Sequence, residues 1–137
     1  KVVKNMQTPE KAVVQKMFDA FSKQDLEGAV ATVTPDSVWI HHGTTKLPAI
    51  RFEGKDNVRQ FFHVNFTTMK TEYFRVKKLL QDGNTVIAFG EEKFTTTGKE
   101  GHMAQQWVQV YTIKDGLIAT MDEYATSFEA PEYIVVK

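Results

Sequence analysis

Imidazole has an ordinary pKa of about 6.5, so it can take or give a proton near neutral pH without burial having to tune it. His41 lies in the β-rich run Ser37-Val38-Trp39-Ile40-His41-His42. Strand alternation puts Trp39 and His41 on one face and Val38, Ile40 and His42 on the other. His41 is therefore the candidate acid–base residue, and Glu123 is the carboxylate placed to orient it or pair with its charge. The bland alternative is a histidine hydrogen-bonded in a polar-lined cavity with no part in chemistry.

A second group of residues comes from counting along a hairpin. Lys114-Asp115-Gly116 suits a three-residue loop with glycine in the left-handed region, which pairs Ile113 with Leu117, Gln109 with Met121 and Trp107 with Glu123. One face then carries Trp107, Gln109, Tyr111, Met121 and Glu123. Large aromatics mixed with an amide and a carboxylate describe a binding wall better than a dry core. The opposite face carries Val108, Val110, Thr112, Ile118, Thr120, Asp122 and Tyr124, an exposed sheet surface or a dimer contact. Asn65 interrupts an apolar helical stripe and is a further ligand-binding candidate. Of Glu91 and Glu92 one must face inward, but the Thr97–Gly101 loop leaves open which.

The elements that would hold these residues follow from pattern. Thr8-Pro9-Glu10 is an N-cap, a first-turn proline and a dipole-matched acid, so a helix starts there and runs to about Gln24. Asp25 caps a second helix carrying Leu26, Ala29, Val30 and Val33, which Pro35 terminates. The strand at 37–42 leads into an irregular segment through Pro48 to Gly54. Val58, Phe61, Phe62, Phe66 and Met69 then mark a third, amphipathic helix. Strands at about 71–81, 84–97, 102–113 and 117–127, separated by glycine-bearing turns, form an antiparallel meander. The expected fold is α+β: three N-terminal helices on a curved antiparallel sheet enclosing one pocket, in a single domain over 1–137.

Composition narrows the function. Lys plus Arg equals Asp plus Glu at 17 each and the basic residues are scattered, which argues against a nucleic-acid partner. Ten Phe, two Trp and four Tyr supply cavity walls. No stretch approaches the ~18 apolar residues of a membrane span. The first six residues, Lys1 to Met6, are too short for an intact signal peptide, and whether a leader was removed stays open. The lack of cysteine fits a reduced compartment, so a cytoplasmic location is the default. His41 and His42 point to opposite faces, His63 lies off its apolar stripe and His102 sits by a turn, so no metal site is expected.

Several segments carry a family resemblance. Val14-Gln15-Lys16-Met17, Asp25-Leu26-Glu27-Gly28-Ala29-Val30, Pro35-Asp36-Ser37-Val38, Phe52-Glu53-Gly54-Lys55-Asp56-Asn57-Val58-Arg59-Gln60-Phe61-Phe62 and Lys114-Asp115-Gly116-Leu117-Ile118 occur in this order. Over residues 8–127 the chain resembles the SnoaL-like and ketosteroid-isomerase-like proteins of the nuclear transport factor 2 superfamily. The resemblance implies a cone-shaped fold and a homodimer joined through the outer sheet face. It does not choose among isomerases, cyclases, dehydratases, epoxide hydrolases and non-catalytic binding domains.

Carried over residue by residue, the steroid isomerases' tyrosine donor corresponds to Met17, their base aspartate to His41 and their protonated aspartate to Gln109, whose amide can donate without a perturbed pKa. Their own reaction is thus not expected. The resulting expectation is a cofactor-independent protein binding a small hydrophobic or carbonyl-bearing molecule. His41, Gln109 and Glu123 are the catalytic candidates, with Met17, Trp39, Asn65, Trp107, Tyr111 and Met121 as ligand-binding residues. The alternative is a non-catalytic ligand-binding or dimeric interaction module. Whether the chain is an enzyme stays open; as one, it would be an isomerase, cyclase or lyase working by acid–base catalysis.

Overall fold

The computed structural model describes residues 7–97, 101–128 and 130–137. The expectations about Lys1 to Met6, and about the middle of the Thr97–Gly101 turn, lie outside the described residues. Helix α1 spans Pro9–Ser22 and opens as its sequence requires: the Thr8 hydroxyl accepts from the Lys11 amide at 3.1 Å, Pro9 has no N–H to need an acceptor, and Glu10 sits in the first turn. Asp25 caps α2 by accepting from the Gly28 amide at 3.0 Å. Helix α2 covers only Leu26–Val30, and the chain is already extended at Val33.

Strand β1 runs Val33–His41, four residues earlier than its β-rich core suggests. Pro35 therefore lies inside a strand instead of ending a helix. It is tolerated because the ladder to β6 is broken between Val33 and Val38, where no amide is needed from it. Strand β2, Ile50–Glu53, occupies part of the segment expected to be irregular and pairs antiparallel with β1. Helix α3 covers Lys55–Thr68, followed by β3 (Met69–Asp82), β4 (Thr85–Thr96), β5 (Met103–Lys114) and β6 (Leu117–Ala125).

The strand order is β2-β1-β6-β5-β4-β3. The expected meander is present as β3 to β6, but β1 joins it parallel to β6, so the sheet is antiparallel-dominated and not wholly antiparallel. Ladder irregularities at Thr71/Tyr73 and Val76/Lys78 in the β3–β4 pair are the kind that bend a sheet. Val14, Met17 and Phe18 of α1 and Val58 and Phe62 of α3 bury themselves on its inner face.

The β5–β6 register differs from the expected one by two residues. Asp115 and Gly116 both adopt positive φ, 52° and 78°, so the turn is the two-residue kind and Lys114 pairs with Leu117. Ala119 is then an extra residue in β6, because Thr112 pairs with Thr120 while Ile113 pairs with Ile118. Each departure shifts the register by one. Together they preserve which residues share a face near Gln109 and change their partners: Gln109 faces Glu123, Tyr111 faces Met121 and Trp107 faces Ala125. Ile118, expected on the outer face, is instead fully buried in the core.

Candidate functional site

Three side chains singled out from sequence stand in one row across the sheet. His41 of β1 is opposite Glu123 of β6, and Glu123 is opposite Gln109 of β5. The next row contains Trp39, Met121 and Tyr111. Over these rows lies a cavity of about 90 Å³. Helix α1 contributes Met17, Phe18 and Phe21 to its walls, and α3 contributes Phe61, Phe62 and Asn65. Leu47, from the loop after β1, closes one side.

The polar groups along the sheet form a directed chain. The Tyr111 hydroxyl donates to Gln109 Oε1, and the Gln109 side chain hydrogen-bonds to Glu123. Glu123 is 4% exposed, and its Oε2 has no hydrogen-bond partner among the described residues. On the neighbouring strands, Gln105 Nε2 donates to Glu92 Oε2 at 2.7 Å, leaving Gln105 Oε1 without a partner there. Burial raises the Glu123 carboxyl to about 8, the Glu92 charge pushes it the same way, and the Gln109 hydrogen bond opposes both. Burial likewise raises Glu92 to about 7 against the pull of Gln105. Tyr111 is also raised, by burial and then by the Glu123 charge, so its phenol stays protonated.

His41 is held in a defined tautomer. The Gly43 amide donates to its Nδ1 at 3.0 Å, and a backbone N–H can only donate. The ring proton of the neutral imidazole is therefore on Nε2, a buried atom without a partner among the described residues. Burial lowers the His41 pKa, with the neighbouring His42 acting in the same direction, so the ring is neutral at pH 7. His41 thus presents a donor.

The family model of the SnoaL-like domain matches residues 14–121, the greater part of the chain. This protein belongs to the SnoaL-like family. A nuclear transport factor 2-like protein from Burkholderia xenovorans is similar in structure, with a TM-score of 0.76, 20% identity and coverage of 88% of this chain and 92% of that one. A ketosteroid isomerase-like protein from Catenulispora acidiphila, in complex with trimethylamine, gives 0.71 at 13% identity over 86% of each chain. A putative isomerase from Bacillus subtilis gives 0.71 at 16% identity, covering 85% of this chain and 86% of that one. No curated protein matches.

Within this SnoaL-like fold, His41, Gln109, Glu123, Met17, Trp39, Asn65 and Tyr111 all border the cavity. Trp107 and Met121 do not; both are buried in the core. The Trp107 indole packs beside Phe18 and Phe74, with ring centroids at 6.1 and 5.3 Å. Its cross-strand neighbours are Gly90 and Ala125, whose small size makes room for it. Asn65 donates back to the Phe61 carbonyl at 2.9 Å. Sequence reasoning left open which of Glu91 and Glu92 faces inward and missed Gln105; Glu92 and Gln105 both line the cavity. The signal was present in β3, where Arg75 and Lys77 offer cations to Glu91 and leave Glu92 to turn inward. Phe61, Phe62 and Met69, expected only in the packing stripe, also border the cavity.

Among the described residues no three His, Asp or Glu side chains gather as metal ligands, and no helix is long and apolar enough to cross a membrane.

Proposed function

We propose that this protein binds a small, largely apolar organic molecule in the cavity and moves a proton on it. The observation that carries this reading is the pair of buried carboxyls, Glu92 and Glu123, raised to about 7 and 8 and lining the same cavity as the neutral Nε2–H of His41. Two buried carboxyls that burial raises toward neutrality supply one acid and one base together near neutral pH, which acid–base catalysis of isomerisation, cyclisation or dehydration requires. The roles assigned from sequence then change places. Glu123 takes or delivers the proton, and His41 donates from Nε2 to a carbonyl or hydroxyl oxygen of the ligand. Gln109, with its oxygen engaged by Tyr111 and its side chain bonded to Glu123, is a positioning residue.

The family setting supports a small-molecule ligand. A protein of this fold is in complex with trimethylamine, and another is described as a putative isomerase. The test is solvent-deuterium exchange at the acidic carbons of a panel of small ketones, followed by NMR. Exchange that Glu123→Gln slows about 10²-fold or more supports the reading. Ligands that bind and shift the melting temperature but show no exchange would leave a non-catalytic binding domain. That second reading is favoured by the engaged Gln109 amide, which leaves His41 without the partner donor expected from sequence.

The outer sheet face, where Tyr124 is half exposed beside Val108, is the surface proposed to meet a second copy. Sedimentation as a monomer at micromolar concentration would remove the dimer proposal.

A further inference from the structure

Among the described residues, the cavity is lined by two carboxyls and no lysine or arginine. β1 contributes His41, β4 Glu92, β5 Tyr111 and β6 Glu123, whereas the lining residues from α1, α3 and β3 have no titratable side chain. His41 is neutral and Tyr111 protonated at neutral pH, so the charge that the described lining residues can bring to this space is negative. Its remaining walls are largely aromatic: Phe18, Phe62, Trp39 and Tyr111 line the same cavity as the carboxyls. Aromatic faces carry negative quadrupole density that attracts a cation once water is excluded. An anionic ligand would meet two acids, and a purely apolar one would leave Glu123 Oε2 without a partner.

Building on the cavity as a ligand site, we infer that its occupant is a small organic cation, a quaternary or protonated amine carrying an oxygen substituent. The ammonium group sits among the aromatic rings against Glu92 and Glu123, and the oxygen accepts from His41 Nε2. Nothing covalent is involved. Binding stabilises the ionised carboxylate, so the ligand expels the proton that burial otherwise keeps on the pair. With Glu92 raised to about 7 and Glu123 to about 8, the affinity is expected to rise at least about tenfold between pH 6 and 8 and to level off only above the higher value.

The test uses choline and its neutral isostere 3,3-dimethylbutan-1-ol, titrated calorimetrically into the whole protein at pH 7 in phosphate and in Tris. Choline binding at least tenfold tighter than the alcohol, with a buffer-dependent heat that reports proton release, is the expected result. Glu123→Gln and Glu92→Gln are expected to abolish the choline preference while keeping the melting transition. If either variant does not fold, the pH dependence of choline binding to the unmodified protein decides in its place. Equal or tighter binding of the alcohol would overturn the cation assignment and leave the apolar-pocket reading intact. Binding of neither would count against both.

Discussion

His41 and Glu123 stand opposite each other on the parallel β1–β6 pair, and the amide of the next residue, His42, donates to the Glu123 carbonyl at 3.0 Å. The backbone thus sets the spacing of donor and carboxyl before any side-chain contact is made. His41→Ala removes the Nε2–H and should cost about 10²-fold in proton exchange, the usual loss for one oxyanion donor. His41→Gln, which keeps an N–H, should recover part of it. An unchanged rate in both variants, measured by NMR, would show that His41 has no role in the chemistry.

Stability should depend on pH through the buried acids. Glu92 and Glu123 are raised from 4.5 to about 7 and 8, so the folded chain holds protons that the unfolded chain releases. Their stabilisation is complete below about 4.5 and is lost as pH rises through 7 and 8. His41 is lowered from 6.5, so its contribution is present above 6.5 and is lost as pH falls. The two effects oppose each other below 6.5, and above it only the carboxyls act. The melting temperature is expected to fall from pH 6.5 to 8.5, and Glu123→Gln should flatten that slope. A slope in the variant equal to that of the parent would contradict the assignment.

Ser37 is the next point of leverage. Its hydroxyl is fully buried and lies 3.0 Å from both the Ile118 and Ala119 carbonyls, at the extra residue that phases β6. Ser37→Ala leaves buried acceptors without that donor and should cost about 1–3 kcal/mol by urea denaturation. Because the same irregularity decides which residue faces Gln109, the variant should also disturb ligand binding. Loss of stability with wholly normal binding would mean that β6 keeps its register without Ser37.

The helices, the meander and most of the cavity wall were legible because they depend on local signals. Thr8-Pro9-Glu10 caps a helix wherever it occurs, and strand alternation places Gln109, Tyr111 and Glu123 on one side whatever their partners. What could not be read depended on distant context. Nothing near Pro35 shows that a break in the β6 ladder will excuse its missing amide. Nothing near Ala119 marks an extra residue whose carbonyl Ser37 will satisfy from far along the chain. The inward turn of Glu92 needed the cations of β3. Trp107 was assigned to the wall because parity puts it on the inner face, but parity does not say which neighbours are small enough to let an indole sink into the core.

Gly90 is that neighbour, and it carries the last prediction. A Cβ built there would lie 2.1 Å from Cζ2 of the Trp107 ring and 2.5 Å from the Arg75 carbonyl oxygen. The indole is a rigid, buried ring and the carbonyl belongs to the paired strand, so neither can move aside cheaply. Gly90→Ala should therefore destabilise the fold by about 1–3 kcal/mol, the range for overpacking a filled core. Trp107→Leu alone should cost a similar or larger amount through lost burial. The two substitutions together should be less harmful than their sum, because the smaller side chain removes the ring that the new methyl strikes. A double-mutant cycle by urea denaturation measures this coupling. Strict additivity would mean that the Arg75 carbonyl, and not Trp107, is what requires glycine at position 90.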